Sequence, residues 1–118
     1  MRAFLIPLIL SPLAAAADPA LIVDAKARFE GTSWRFDVSV SHADTGWEDY
    51  ADAWEVRLED GRVVGTRILA HPHVNEQPFT RSLSGVVLPH GTDEVLLFVR
   101  ETRGGWASEP FRLSLESP

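Results

Sequence analysis

The 118-residue sequence contains no cysteine, and it has only one methionine and one tyrosine. Without cysteine there can be no disulfides, so the folded domain must be held together by its hydrophobic core alone. About a hundred residues are enough to build such a core. The lack of cysteine also removes the thiol that would carry the lipid of a lipoprotein, and it excludes a cysteine nucleophile.

The sequence also has no apolar run long enough to span a bilayer. The apolar stretch near its start, Ala3 to Leu10, is too short, which argues against a membrane anchor. This stretch follows Arg2 and precedes the small residues Ala15 to Ala17, an order typical of a secretory signal peptide. The sequence therefore predicts a signal peptide over residues 1–17 and a periplasmic or secreted domain over residues 18–118, with no membrane insertion after cleavage.

Positive charge is scarce. Eleven Lys and Arg residues stand against seventeen Asp and Glu residues, for a net charge of -6. Removal of Arg2 with the predicted signal peptide leaves ten against seventeen, a net charge of -7. Nucleic acids and anionic membranes are themselves negatively charged, so this balance argues against both as partners. Cationic partners, metal ions among them, remain compatible with it.

From residue 18 onward, apolar and polar residues alternate almost throughout, as expected for strands with one buried face. The first such segment predicts a core face made of Leu21, Val23, Ala25, Ala27 and Phe29. The second predicts one made of Trp34, Phe36, Val38 and Val40. The segment from Val95 to Val99 is continuously apolar, which predicts a central strand.

The spacing of the turns sets the fold class. Asp60-Gly61 is the signal of a tight hairpin, Ser84-Gly85 indicates a bulge, and Gly104-Gly105 indicates a break before the last strand. Seven short strands and no helix predict an all-β fold. We expect a seven-stranded antiparallel β-sandwich that resembles the immunoglobulin and fibronectin type III folds. This architectural resemblance implies no function.

Up-and-down strands predict that the connections alternate between two ends of the sandwich. The short turns at Glu30, Gly61 and Pro89 fall at one end, together with His90. The long segments 42–52, 71–78 and 101–108 fall at the other, which we call the loop end. Long loops on a rigid sandwich are frequent binding sites. The polar and aromatic residues of the loop end are His42, Asp44, Trp47, Asp49, Tyr50, Asp52, His71, His73, Glu76, Arg103 and Trp106.

The sharpest local pattern is His71-Pro72-His73. Two histidines at positions i and i+2 of extended backbone project to the same side, and proline favours an extended residue before it. His42 continues the inward phase of its strand, which places its ring at the rim of the core. Imidazoles supplemented by carboxylates suit copper or zinc. The predicted metal ligands are His42, His71, His73, Glu76 and Asp44.

Other interpretations of these residues stay open. His71 and His73 are also explained as polar loop residues, and His42 as a hydrogen-bond donor to a backbone carbonyl. A third interpretation is that the three histidines form a pH-sensitive or ligand-contact site. The carboxylates of 44–52 lack the spacing of an EF-hand calcium loop, which favours a solvated acidic loop. Arg81 is expected to be partly buried and paired with one of these acids.

Aromatic residues of the loop end are candidates for contact with a ligand or partner. Trp47, Tyr50 and Trp54 are compatible with a sugar or peptide groove and equally with a minor core that holds the long loop. The predicted contact residues are Trp47, Tyr50, Asp52 and Trp106.

Two stretches resemble a group of small exported bacterial proteins that have no assigned activity. They are SHADTGW (41–47) with YADAW (50–54), and HPHVNEQPFTRSL (71–83). The resemblance covers about a third of residues 18–118 and implies no role for any residue. No nucleophile elbow and no phosphate loop occurs in the sequence, which leaves a hydrolytic His and Asp site as a minor alternative to a non-enzyme. We therefore predict a non-enzymatic binding domain for an unknown protein or small ligand, with a metal-free structural or protein-interaction module as the alternative.

Overall fold

A computed structural model of the chain describes residues 18–116; the predicted signal peptide lies outside the described residues. The described residues form strands and loops, and none of their segments is a helix of the length and hydropathy needed to cross a membrane. The strands are β1 (Leu21–Phe29), β2 (Trp34–Ser41), β3 (Ala51–Arg57), β4 (Val63–Ile68), β5 (Phe79–Val86), β6 (Glu94–Glu101), β7 (Gly105–Trp106) and β8 (Phe111–Ser114).

The strands form two antiparallel sheets, which confirms the predicted all-β sandwich. The first sheet has the order β1-β2-β5, and the second has the order β4-β3-β6-β7, with β8 also paired to β6. The predicted count of seven strands is too low by one. Gly105 and Trp106 pair with Glu101 and Arg100 as the short strand β7, where the two glycines had indicated only a break. The immunoglobulin or fibronectin type III topology stays a prediction.

The core lies between the two sheets and consists mainly of the residues that the alternation predicted. In β2, Trp34, Phe36, Val38 and Val40 are buried while the residues between them are half-buried. Trp54 of β3 and Phe79 of β5 are buried against them. Each such apolar side chain stabilises the fold by about 1.5–3 kcal/mol. The predicted central position of 95–99 is confirmed, because β6 pairs with β3, β7 and β8.

One core prediction, that of the first strand, is wrong at its start and at its end, where Phe29 is 37% exposed. Leu21 and Val23 are 55% and 49% exposed, whereas Ile22 between them packs against the core. The cause is a register shift between Ile22 and Asp24, which changes the phase of the alternation. The bulge predicted at Ser84-Gly85 is confirmed by a register shift in the pairing of β2 with β5.

The long connections meet at one end of the sandwich, as predicted. The backbone N–H of Thr102 donates to the carbonyl of Tyr50 at 3.0 Å, which joins segment 101–108 to segment 42–52. The backbone N–H of His73 donates to Asp44 at 2.8 Å, which joins segment 71–78 to the same loop. His90 lies at the other end, where it borders a cavity together with Phe29 and Trp34.

Candidate functional site

His42 is the first residue after β2, and its ring is completely buried. Its position follows from the alternation of the strand, which directs every second side chain into the core. Nδ1 lies 2.6 Å from Oδ1 of Asp44, and Nε2 lies 3.0 Å from the carbonyl oxygen of Asp18. Both partners accept hydrogen bonds. Both contacts are therefore satisfied when each ring nitrogen has a proton, or when one has a proton and the other binds a cation.

Asp44 holds the loop end together. Its Oδ1 accepts hydrogen bonds from the ring of His42 and from the backbone N–H of Ala51, and its Oδ2 accepts from the backbone N–H of His73. The carboxylate is fully buried. Since Oδ1 lies against the ring of His42, Asp44 positions this imidazole. A carboxylate behind a histidine in this way fixes which ring nitrogen faces a metal.

Beyond the ring of His42, two further carboxylates converge. Among residues 18–116, one ligand atom each of His42, Asp49 and Glu101 lies within 4.8 Å of the others, a group that we call the convergent cluster. Nε2 of His42 is 3.6 Å from Oδ1 of Asp49. Glu101 is the last residue of β6, and its carboxylate accepts backbone N–H groups of Arg103 and Gly104. Segment 42–52 and the end of β6 thus bring one nitrogen and two oxygens close together.

The carboxylates around the convergent cluster outnumber their cations. Within the described part of the chain, the buried Oδ1 atoms of Asp49 and Asp52 have no hydrogen-bond partner. Burial raises the pKa of Asp52, the charge of Glu101 raises it further, and Arg100 opposes the rise. Arg100 and Arg103 contact Asp52 and Asp49 from half-exposed positions, at 3.3 and 3.9 Å. Unpartnered buried carboxylate oxygens are costly, which favours a cation here.

Segment 71–78 gives its histidines different surroundings. The ring of His73 stacks on Phe79 with centroids 3.8 Å apart, and its Nε2 lies 2.7 Å from a guanidinium nitrogen of Arg81. Nε2 accepts this bond, so the ring is neutral with its proton on Nδ1, which finds no acceptor among residues 18–116. Burial lowers the pKa of His73, and the charges of Arg81 and His71 lower it further.

The predicted metal ligands therefore separate into two places. His42 belongs to the convergent cluster, and Asp44 lies behind it. The rings of His71 and His73 do face each other, at 4.5 Å between centroids, but neither joins the convergent cluster. Glu76 is exposed and lies 3.6 Å from Arg81. Arg81 is thus partly buried, as predicted, but its partners are Glu76 and His73 rather than an acid of segment 44–52.

The predicted contact residues lie at different places on the surface. Trp47 is 67% exposed and packs edge to face on Tyr50, with centroids 5.7 Å apart. Trp106 is partly exposed and lies 5.5 Å from the guanidinium of Arg57. Asp52 is mostly buried beside the convergent cluster. Trp54 is completely buried, so it belongs to the core rather than to a groove.

Sequence reasoning did not select Asp49 and Glu101 as candidate metal ligands, although both fall in the segments assigned to the loop end. The signal that brings them to His42 is the pairing of Ala51 with Glu101 between β3 and β6. That pairing depends on the register of two strands fifty residues apart, so no local spacing reveals it.

Comparison with known proteins gives one relative. A protein of Halomicrobium mukohataei named "Putative lipoprotein" is 33% identical over 87 residues, which cover 74% of this chain and 42% of that protein. The chain thus spans less than half the length of this relative. No protein-family model matches the chain. No solved structure matches it either.

Proposed function

We propose that this protein is an exported, non-enzymatic binding domain that holds one divalent metal ion, zinc or copper, between His42, Asp49 and Glu101. The observation that carries the proposal is the convergent cluster itself, whose ligand atoms lie within 4.8 Å of one another. An imidazole with two carboxylates is a donor set that zinc and copper accept. A cation there would also be coordinated by Oδ1 of Asp49, which has no hydrogen-bond partner among the described residues.

The surroundings of His42 support the same assignment. A metal ion on Nε2 would take the place of the proton that this nitrogen otherwise shares with the carbonyl of Asp18. The Nδ1–H group would still donate to Asp44, as in the carboxylate–histidine–metal arrangement of many zinc sites. The proposed ligand set thus keeps His42 from the sequence prediction, assigns Asp44 a positioning role, and replaces His71, His73 and Glu76 by Asp49 and Glu101.

Burial of the ligands supports a binding role rather than a catalytic one. The ring of His42 is fully buried, Glu101 is 4% exposed, and the side chain of Asp49 is 16% exposed. Structural metal sites are buried in this way. Three protein ligands leave one position of a tetrahedral ion open, so it is the burial of the site and not its number of ligands that supports the non-enzymatic role. The metal would fasten loop 42–52 to the end of β6. The same loop carries the exposed Trp47, which packs against the half-buried Tyr50, and this pair is the proposed contact surface for a ligand or partner.

Export is supported by the signal-like pattern of residues 1–17 and by the name of the relative, which describes that protein as a lipoprotein. A periplasmic or secreted location follows from the proposal. The division into two antiparallel sheets supports a sandwich of the immunoglobulin or fibronectin type III kind.

A second candidate is a protein-interaction module without metal. The observation that favours it is that both ring nitrogens of His42 already have protein acceptors. In this alternative the hydrogen bonds of His42 complete the cluster without a metal, and the pair of Trp47 and Tyr50 serves a protein partner.

Metal titration separates the two candidates. Residues 18–118 are stripped with a chelator and titrated with zinc and with copper by calorimetry, beside Asp49→Asn and a control, His90→Gln, at the far end of the sandwich. We expect one equivalent of metal in the wild type and the control, and an affinity about tenfold or more lower in Asp49→Asn. Absence of binding in the wild type, or equal binding by all three proteins, would favour the metal-free module.

A further inference from the structure

The backbone of Asp18 borders the convergent cluster, because its carbonyl oxygen lies 3.0 Å from Nε2 of His42. Asp18 is also the residue that would follow the predicted cleavage after Ala17. Cleavage there turns the backbone nitrogen of Asp18 from an amide into an α-amino group. An amide nitrogen has no available lone pair, whereas a free amine is a good ligand for zinc and copper.

The residue after Asp18 favours a suitable geometry. Pro19 restricts the residue before it to extended backbone, with ψ at about +120 to +160°. In that conformation the nitrogen and the carbonyl oxygen of one residue lie on the same side, about 3 Å apart by standard bond lengths. Together with the 3.0 Å contact of that oxygen, this brings the α-amino group to within about 6 Å of Nε2 of His42.

We propose that the α-amino group created by cleavage ahead of Asp18 completes the metal site, chelating the ion together with the carbonyl oxygen of the same residue. The inference rests on the proposed function, since it adds ligands to His42, Asp49 and Glu101. One amine and one carbonyl oxygen bound to the same ion close a five-membered ring. The site then offers two nitrogens with oxygens around them, a set that suits copper(II).

The space next to the site allows this adjustment. A cavity of about 250 Å³ lies between Pro19 and Ala20 on one side and Glu101 and Trp106 on the other. The cavity leaves open space between Pro19 and Glu101, next to Ala20, which is packed in the core. A consequence is that the uncut precursor has the weaker site, so that high-affinity metal binding follows export.

The test compares two forms of one protein that differ only at the α-nitrogen. Residues 18–118 beginning at Asp18 are prepared with a free α-amine and with the amine acetylated, and both are titrated with copper(II). We expect the free amine to bind copper about tenfold or more tightly than the acetylated form. Electron paramagnetic resonance should show hyperfine coupling to two nitrogens in the free form and to one in the acetylated form.

The outcomes distinguish this inference from the proposed function. Equal affinity and one coupled nitrogen in both forms would overturn the role of the α-amine, while the site of His42, Asp49 and Glu101 would stand. Absence of copper binding in both forms would overturn both proposals. An Asp49→Asn variant with a free amine separates them further: if it keeps the full affinity, the amine binds copper away from the convergent cluster, which also contradicts the inference.

Discussion

Segments 42–52 and 71–78 each place a histidine against the core, but they give the two rings opposite surroundings. The ring of His42 is bordered by oxygen atoms, from Asp44, from the backbone of Asp18 and from Asp49. The ring of His73 is bordered by the guanidinium of Arg81 and the face of Phe79. An array of oxygens favours a cation at an imidazole nitrogen, whereas an adjacent guanidinium disfavours one.

This difference shows that two histidines in one loop do not by themselves give the rings surroundings that favour a cation. Segment 71–78 contains the His-x-His pattern, yet Arg81 already donates a hydrogen bond to Nε2 of His73. Segment 42–52 has a single histidine, and the proposed site adds Asp49 of the same segment and Glu101 at the end of β6. Four variants would test the contrast between the two segments.

The largest effect is expected from Asp44, which serves both segments. Asp44→Ala removes the acceptor of three buried donors, the ring of His42 and the backbone N–H groups of Ala51 and His73. We expect the free energy of unfolding to fall by about 3–5 kcal/mol, because an unpaired buried polar group is costly. Asp60→Ala, which removes one exposed turn hydrogen bond at the far end, is the control for chemical denaturation. A similar loss in both variants would show that Asp44 does not hold the loop end together.

A matched pair of glutamates tests which segment binds metal. Glu101→Gln alters the convergent cluster, and Glu76→Gln alters an exposed residue of segment 71–78. We expect zinc affinity, measured by calorimetry, to fall by about tenfold or more in Glu101→Gln and to stay unchanged in Glu76→Gln. A loss of zinc affinity in Glu76→Gln, with no change in Glu101→Gln, would instead place the metal site at His71 and His73.

The lowered pKa of His73 predicts a pH dependence of stability. In the unfolded chain this histidine takes up a proton near its ordinary pKa of 6.5, while in the fold it stays neutral to lower pH. The unfolded state then binds more protons, so stability is greatest above pH 6.5 and declines as the pH falls below it. The decline should be shallower in His73→Phe and unchanged in His90→Gln, measured by denaturation at several pH values. An identical decline in wild type and His73→Phe would contradict the neutral ring.

The smallest effect concerns the outer partner of Arg81. Glu76 is 62% exposed and lies 3.6 Å from the guanidinium. Since exposed ion pairs contribute little, Glu76→Gln should change the free energy of unfolding by less than about 0.5 kcal/mol. A larger loss would mean that Glu76 holds Arg81 against His73 and that the two contacts act as a unit.

The alternation of residues was sufficient to predict the sandwich, the central β6 and the meeting of the long loops. It failed at Leu21 and Val23, because a bulge changes the phase of a strand without leaving a clear signal in the sequence. Local spacing pointed to His71 and His73, whereas Glu101 reaches His42 through the pairing of distant strands. The fold class follows from the periodicity along the chain. The proposed ligand set depends on strand register and on which charged side chain lies next to each histidine ring.

An anomalous difference map at the zinc absorption edge, from crystals of residues 18–118 grown with zinc, tests the central claim directly. We predict one strong peak within bonding distance of Nε2 of His42 and of the carboxylates of Asp49 and Glu101. A peak between His71 and His73, or an ordered structure with no peak at the convergent cluster, would contradict the claim.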